Sequence, residues 1–147
     1  MADRFAIDTN VYIGALRERE KLLELKGFLR RAGLRVLVAG VVALELRAGA
    51  RTDAQVSALE ALLDAYTRRA RVFGLSFEAL WQAGRVLGSL AGRGSPSYPF
   101  PRHLTNDAIL AASCREAGVV LITNNTRDFT AVQRHLRGFR FVEPWPG

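Results

Sequence analysis

The chain has 147 residues, of which 49% are apolar and 24% are charged. This composition is typical of one globular domain and argues against a disordered chain or a membrane-spanning helix. The net charge of +7 comes from 21 basic residues, all but two of them arginine, against 14 acidic ones; it indicates a polyanionic partner such as nucleic acid, or else reflects GC-rich codon usage.

The single cysteine and the first residues bear on the location of the protein. Cys114 has no second cysteine with which to form an internal disulfide. The N-terminal sequence MADRFAID carries early charges and then a strand pattern, which is not the pattern of a signal peptide. We therefore expect a cytoplasmic protein with no membrane segment, folded as one domain over residues 1–147.

Strand and helix patterns alternate along the whole chain with short connections. The first half predicts a strand at 4–8, helices at 9–19 and 20–31, a strand at 34–39, a helix at 41–50 and another beginning at 52–53. The second half predicts a strand at 72–75, a helix capped by Ser76, a loop at 92–103, a helix capped by Thr105 and ending near 117, a strand at 119–123, a helix at 126–136 and a strand at 139–142. This order predicts an α/β domain with a parallel sheet.

One predicted helix has a face of apolar and small residues. This face predicts close packing against another helix, and its members are Phe77, Leu80, Trp81, Gly84, Leu87, Gly88 and Ala91.

Several common kinds of site are absent from the sequence. No strand is followed by a glycine-rich phosphate loop, so a nucleotide-binding Rossmann or P-loop site is not supported. No closely spaced cysteine or histidine ligands occur, and Cys114 sits on an apolar helix face where packing explains it. His103 and His135 have no nucleophile beside them in sequence, which argues against a hydrolase triad.

Three acidic residues occupy predicted buried positions, where a charged carboxylate is energetically unfavourable. Asp8 ends a buried strand, Glu45 shares the apolar side of its helix, and Asp107 lies on an apolar stripe at the start of another helix. Each has an ordinary explanation as well: Asp8 as a helix cap, and Asp107 as a charge that favours a helix N-terminus.

Taken together, the three carboxylates predict a metal site. Asp8 and Thr123 follow strands that would end at the same edge of a parallel sheet, where such folds place their ligands. Three carboxylates meeting there would hold Mg²⁺ or Mn²⁺ through oxygen. Such a cation would activate water and stabilise charge on a phosphodiester. We therefore interpret Asp8 as a metal ligand and not as a cap.

Four segments in order, IDTNVYI, ALELRAGA, NDAILAA and LITNNTRDF, resemble the motifs of the PIN-domain family, and within it those of the VapC-like toxins of prokaryotic toxin–antitoxin pairs. The resemblance covers essentially the whole chain. It implies a PIN-like three-layer sandwich, a central parallel sheet flanked by helices, and a Mg²⁺- or Mn²⁺-dependent endoribonuclease. It also implies an RNA substrate, a homodimer and a small cognate antitoxin protein that neutralises the toxin.

The resemblance also assigns residues by position. Asp8, Glu45 and Asp107 match the first three acidic residues of the family, and Asn10 matches a polar residue that supports the first aspartate. The fourth acidic position is Asn125, where the family often has aspartate.

The remaining assignments concern the last motif and the second cation. Asp128 is the other candidate for the fourth acidic position, although capping of the last helix also explains it. Thr123 and Asn125 are expected to hold the attacking water or a phosphate oxygen, and Glu45 to ligate the cation or orient that water. Because an amide adds no charge, we expect one firmly bound cation and a second bound weakly or only with an RNA phosphate.

Two further predictions remain open at the level of sequence. The homodimer is supported by two apolar helix stripes that exceed the needs of a small sheet: Leu22, Leu25 and Leu29, and the stripe from Val56 to Tyr66. In the loop at 92–103, Tyr98 and Phe100 either stack an unpaired base or rest on the domain surface.

Two functions other than a toxin also fit the sequence. One is an RNA-processing PIN nuclease without an antitoxin. The other is a non-catalytic PIN-like module that binds RNA or protein and has lost its fourth ligand.

Overall fold

The computed structural model describes residues 2–92 and 100–147. The strands are β1 (Phe5–Ile7), β2 (Val36–Ala39), β3 (Val72–Phe73), β4 (Val120–Ile122) and β5 (Phe141–Val142). The helices are α1 (Thr9–Arg17), α2 (Arg19–Ala32), α3 (Gly40–Gly49), α4 (Asp53–Thr67), α5 (Phe77–Ala91), α6 (Thr105–Ala117) and α7 (Thr126–Gln133). The predicted α/β class and the order of elements are confirmed. Within these residues no helix is both long and apolar enough to cross a bilayer.

The five strands form one parallel sheet in the order β3-β2-β1-β4-β5. From the central strand β1 the chain proceeds outward through β2 to β3, and it then returns to the other side of β1 to form β4 and β5. The sheet therefore has a topological switch point between β1 and β4, where the carboxyl ends of open α/β sheets bind their ligands. Ile7 and Ile122 pair at these two carboxyl ends.

The core lies around the two central strands and the alanine-rich helix α6. Every residue of β1 and β4 is buried. Helix α6 contacts β4 and also packs on α5 and α7, and its buried side chains are mostly small, including Ala108, Ala111 and Cys114. The predicted packing role of Cys114 is confirmed, and burial raises the pKa of its thiol.

Several element ends differ from the sequence predictions. Helix α7 ends at Gln133, three residues before the predicted end, and strands β3 and β5 have only two residues each. Ser76 caps α5 as predicted, because its hydroxyl accepts a hydrogen bond from the Ala79 backbone N–H at 2.9 Å. Thr105, predicted as a cap, is instead the first residue of α6 and follows Leu104.

The predicted packing face of α5 is wrong. The residues that α5 buries are Ala79, Ala83, Val86 and Leu87, and only Leu87 belongs to the predicted face. The bulky members of that face, Phe77, Leu80 and Trp81, are exposed. Helix α5 is apolar on two sides, and the side with alanines packs on the neighbouring elements because small side chains allow two helices to approach closely.

The two apolar stripes that supported a dimer are used largely within the domain. Leu25, Leu59 and Tyr66 are buried, while Leu22 and Leu29 are half-buried and pack on the same core. These stripes therefore leave little spare apolar surface for contact with a second chain.

Candidate functional site

Asp8 follows β1 and is held at three points. Its backbone N–H donates to the carbonyl of Ile122 at 2.9 Å, which extends the pairing of β1 with β4. Its carboxylate Oδ1 accepts from the backbone N–H of Thr9 at 2.8 Å, and Oδ2 accepts from the hydroxyl of Thr123 at 2.7 Å. Asp8 is the N-cap residue of α1. The sequence analysis set a capping role for Asp8 against a role in the site. In the structure its carboxylate does both: it caps α1 and lies near the other acidic residues.

Thr123 follows β4 and is completely buried. Its hydroxyl donates to Asp8 and accepts from the backbone N–H of Asn125 at 2.9 Å. Both interactions are with the protein, and the side chain has no exposed surface with which to reach a water molecule or a phosphate. The predicted role of holding the water is therefore corrected: Thr123 positions Asp8.

Glu45 is positioned by a residue that the sequence did not single out. Thr9 is buried, and its hydroxyl donates to Glu45 Oε1 at 3.1 Å. Thr9 could have been identified from the sequence by its place in the DTN motif, where it is the first helical residue after a buried strand and Asp8. Asn10, which was predicted to support Asp8, is exposed, and among the described residues its side chain makes no hydrogen bond to Asp8.

Asn125 connects two carboxylates at the start of α6 and α7. Its amide nitrogen donates to Asp107 Oδ2 at 3.3 Å and to Asp128 Oδ2 at 3.1 Å. Asp128 lies in the first turn of α7 without making a side-chain cap there, so it belongs to the acidic group through Asn125. The amide thus supplies hydrogen-bond donors to the carboxylates, whereas the sequence predicted that it would hold the attacking water or a phosphate oxygen.

Burial and the charges of neighbouring carboxylates raise the pKa of two members of the acidic group, Asp107 and Asp8. Burial raises the pKa of Asp107 from its ordinary value of 3.8 to about 7, with further contributions from the charges of Asp8, Asp128 and Glu45. Burial also raises the pKa of Asp8, against the opposing effect of its hydrogen bonds from Thr123 and Thr9.

No basic side chain compensates this charge within the described residues. The ion pairs found there lie elsewhere and are Lys21–Glu18, Arg68–Asp64 and Arg140–Asp3. The acidic group is therefore a concentration of uncompensated negative charge at the switch point of the sheet.

The donor chemistry of the group fits a hard divalent cation. Its donors are carboxylate oxygens, which Mg²⁺ and Mn²⁺ prefer. In the part of the chain that the structure describes, however, no three acidic, histidine or cysteine side chains converge closely enough to hold one ion. Binding a cation would therefore require the carboxylates to move closer together, which their mutual repulsion opposes in the absence of the cation.

An apolar groove of about 410 Å³ runs between α1, α3 and α4 and reaches the acidic group. Its lining includes Ile13, Leu16 and Leu59, with Glu45 and Arg17 among its few charged residues. Leu16 is half exposed to solvent. A partner lying in this groove would come directly against Glu45.

The predicted base-stacking loop is only partly described. Tyr98 lies outside the described residues. Phe100 is half-buried and packs against the core, with the guanidinium of Arg102 at 5.9 Å from its ring centroid. For Phe100 the structure therefore favours the second alternative, a ring that rests on the domain surface.

The sequence matches the family model of the PIN domain over residues 5–134. It is also similar to two proteins named tRNA(fMet)-specific endonuclease VapC. The protein from Shigella flexneri is 26% identical over 129 residues, which cover 88% of this chain and 92% of the relative. The protein from Salmonella typhimurium is 24% identical over 142 residues, which cover 97% of this chain and 98% of the relative.

Solved structures with the same fold include a toxin–antitoxin complex from Klebsiella pneumoniae, in which a chain superposes with a TM-score of 0.66 at 20% identity, covering 97% of this chain and 98% of that chain. A chain of the DNA-bound VapBC structure from Salmonella typhimurium superposes with a TM-score of 0.69 at 22% identity, covering 97% of this chain and 98% of that chain. A chain of FitAcB from Neisseria gonorrhoeae gives a TM-score of 0.67 at 18% identity, covering 96% and 98%. At these identities the likeness concerns the fold alone.

Proposed function

The chain belongs to the PIN domain family, and from this membership and its acidic site we propose that it is a divalent-metal-dependent endoribonuclease, the toxin of a toxin–antitoxin pair. The observation that carries the proposal is the group of four interacting carboxylates at the switch point of the sheet, with a pKa near 7 at Asp107 and no basic partner among the described residues. Such a group is costly to fold unless a cation compensates it.

A cation held by Asp8 and Asp107 would activate water and offset the charge that builds up on the phosphodiester. Asp8 is kept in a fixed orientation by its bonds from Thr9 and Thr123, which reduces the rearrangement needed for binding. Asp107 must lose its proton before it can ligate a cation. Glu45, whose carboxylate is held by the hydroxyl of Thr9, is placed to ligate the cation or to orient the attacking water.

The arrangement of Asn125 supports one firmly bound cation. Its amide N–H groups link Asp107 to Asp128, a task that a second cation would otherwise perform. A second cation would have to displace this amide or bind with the help of an RNA phosphate. The single-cation expectation from the sequence therefore remains our proposal.

RNA is the proposed substrate because the whole chain carries a net charge of +7, with the residues of its strongly acidic site included in that sum. Arginines suit recognition of the phosphate backbone, and such binding weakens as salt increases. The first RNA to test is tRNA(fMet), for which the two VapC relatives are named.

The antitoxin is assigned to the groove between α1, α3 and α4. The structural neighbours are toxin–antitoxin assemblies, which supports a protein partner of this kind. The groove is apolar, like the buried core of a protein interface, and a segment that fills it would cover the approach to Glu45. Neutralisation would then follow from obstruction of the site.

The test is cleavage of end-labelled tRNA(fMet) and of an unrelated structured RNA by the purified chain, in millimolar Mg²⁺ and in EDTA. We expect cleavage only with the metal, and none by Asp8→Asn. The matched control is Asp53→Asn, which removes an exposed carboxylate in the first turn of α4 and should cleave normally.

Each alternative predicts a different result in this assay. A non-catalytic module would bind RNA without cutting it in either condition. An RNA-processing nuclease would cut it, but no small protein encoded beside it would inhibit the cleavage. Cleavage by Asp8→Asn at the wild-type rate would refute the assignment of the site.

A further inference from the structure

Arg71, a half-buried residue that directly precedes β3, uses only one nitrogen of its guanidinium group. Its Nη1 donates to the backbone carbonyl of Gly33 at 2.9 Å and to that of Val36 at 3.0 Å. Among the described residues, the buried Nε has no hydrogen-bond partner, and neither does the accessible Nη2. No acidic side chain pairs with this guanidinium in the same part of the chain. Its charge is therefore uncompensated, which is unfavourable for a group withdrawn from water unless an anion binds beside it.

The guanidinium of Arg71 is held in place by the surrounding protein. It lies 4.6 Å from the ring centroid of Tyr66, within the range of a cation–π contact. The backbone N–H of Arg71 donates to the carbonyl of Tyr66 at 2.9 Å, and its own carbonyl accepts from the N–H of Val38 at 2.9 Å. A group fixed in this way loses little conformational freedom when it binds a ligand, which favours affinity.

Arg71 lines a pocket of about 310 Å³ between α2, the turn before β2 and the end of α4. The pocket is mainly apolar, with Leu29, Leu34 and Leu62 in its lining, and Arg69 supplies a second positive charge. No acidic residue belongs to the lining among the described residues. The volume is at the lower end of the range for small-molecule sites. Apolar walls with two cations suit a small ligand that has a negative head group and an apolar body.

This pocket lies on the opposite side of the sheet from the acidic group. Gly33 and Leu34 come just before β2, and Arg71 comes just before β3, so the pocket lies at the amino edge of the parallel strands. The acidic group is at the carboxyl edge, where Asp8 follows β1. The two sites are therefore separate and opposite in charge.

The two arginines reach the same pocket because of an unusual backbone conformation between them. Ala70 has φ 53°, in the left-handed region that is unfavourable for a residue with a Cβ atom. In a continuing helix, side chains two positions apart would not face the same way. The turn at Ala70 instead lets both Arg69 and Arg71 line the pocket. Backbone strain of this kind is commonly retained where a binding site requires it.

From these observations we propose that the pocket binds a small organic carboxylate. Its head group would lie between Nη2 of Arg71 and the exposed guanidinium of Arg69, with one carboxylate oxygen for each. Its apolar body would rest against the leucines of the pocket, to which a hydrated inorganic anion gains nothing by binding. The proposal does not depend on the nuclease assignment, because none of the residues of the acidic group contributes to this pocket.

The experiment is a titration of the full chain with hexanoate in EDTA, followed by the arginine Nε–H signals in two-dimensional ¹H–¹⁵N NMR spectra. The signal of Arg71 is identified by its loss in Arg71→Lys. We expect hexanoate to shift this signal along a saturable curve. Acetate has the head group without the apolar body, and hexylammonium has the body with the opposite charge. Both should bind at least about tenfold more weakly than hexanoate.

Two variants with matched controls locate the site. Leu34→Glu places a negative charge in the lining at a residue that is 61% exposed, and it should weaken hexanoate binding about tenfold. Leu23→Glu makes the same exchange at a residue of α2 that is 56% exposed and outside the lining, and it should leave binding unchanged.

The second pair of variants compares two adjacent arginines. Arg69→Gln should weaken hexanoate binding about tenfold, because it removes one of the two cations of the pocket. Arg68→Gln should have little effect, because Arg68 is paired with Asp64 and does not line the pocket. Circular dichroism of each variant verifies folding, which these exposed positions should not disturb.

Three results would overturn the proposal. The first is the absence of any saturable shift of the Arg71 signal at tens of millimolar hexanoate. The second is equal affinity for hexylammonium, which would show that apolar surfaces associate without recognition of charge. The third is equal weakening by the variants of the lining and by their controls, which would show a general effect of net charge and no defined site.

Discussion

Neutralising Asp107 should stabilise the metal-free protein, although it removes a proposed ligand. The folded-state pKa of this carboxyl is raised to about 7, whereas in the unfolded chain it returns towards the ordinary value of 3.8. Between these two values the folded protein holds a proton that the unfolded chain releases. The ionised side chain therefore opposes folding fully above pH 7, progressively less as the pH falls, and not at all below about pH 4.

The size of the effect follows from the shift. The difference between the folded and unfolded pKa values of Asp107, at about 1.4 kcal/mol for each pKa unit, gives an upper limit of about 4 kcal/mol. Asp107 is partly exposed, so solvent screens its interactions and we expect about half of that limit. Asp107→Asn should thus gain about 2 kcal/mol at pH 8, or about 4–8 °C in Tm for a chain of this length.

The assay is urea unfolding in EDTA at pH 8 and at pH 5. The gain of Asp107→Asn over the wild type should be largest at pH 8 and about a third as large at pH 5, where the folded protein holds the proton and the unfolded chain still releases it. Glu60→Gln, at an exposed position on α4, is the control and should behave alike at both pH values. Millimolar Mg²⁺ should stabilise the wild type but not Asp107→Asn. An equal gain at both pH values, or none at pH 8, would refute the electrostatic argument.

Three further predictions concern the surroundings of the site. Thr9→Val removes the hydroxyl that holds Glu45, and it should raise about tenfold the Mg²⁺ concentration needed for half of the thermal shift, with Thr9→Ser restoring it. Asn125→Asp should lower the metal concentration needed for cleavage and add a second Mn²⁺ in a titration, whereas Asn125→Ala should lose far less activity than Asp8→Asn; equal losses would show that this amide acts on the reacting water. Leu16→Glu should weaken antitoxin binding about tenfold in calorimetry without changing RNA cleavage, and unchanged binding would place the antitoxin outside the groove.

The sequence by itself determined the class of fold and the acidic residues of the site. The apolar run before Asp8 predicts a buried strand, and alternation of such runs with helices indicates a parallel sheet. Carboxylates on apolar faces are conspicuous because their burial is unfavourable, which is why Glu45 and Asp107 could be singled out. Matching of motifs then indicated the PIN domain family, and the family match confirmed it.

Only the tertiary structure decided how the site is held. The hydroxyl of Thr9 meets Glu45, which lies 36 positions away, and that of Thr123 meets Asp8, which lies 115 positions away. Burying a neutral hydroxyl costs much less free energy than burying a carboxylate, so a threonine in an apolar segment does not indicate a site. The partner of the hydroxyl depends on the register of the strands and on the crossover connections between them. Asn125 likewise turned its N–H groups towards two carboxylates, which its position alone could not show.

The face of α5 that packs in the domain was also settled only in three dimensions. Periodicity shows that a helix has apolar sides, but it does not show which side the rest of the protein covers. The small residues Gly84 and Gly88 suggested the wrong side, because small side chains in a helix were taken as the sign of a close contact with another helix. The alanines of the other side fit the closely packed neighbouring helix, and the aromatic rings were left in solvent, since steric fit between elements outweighs the hydrophobicity of single residues.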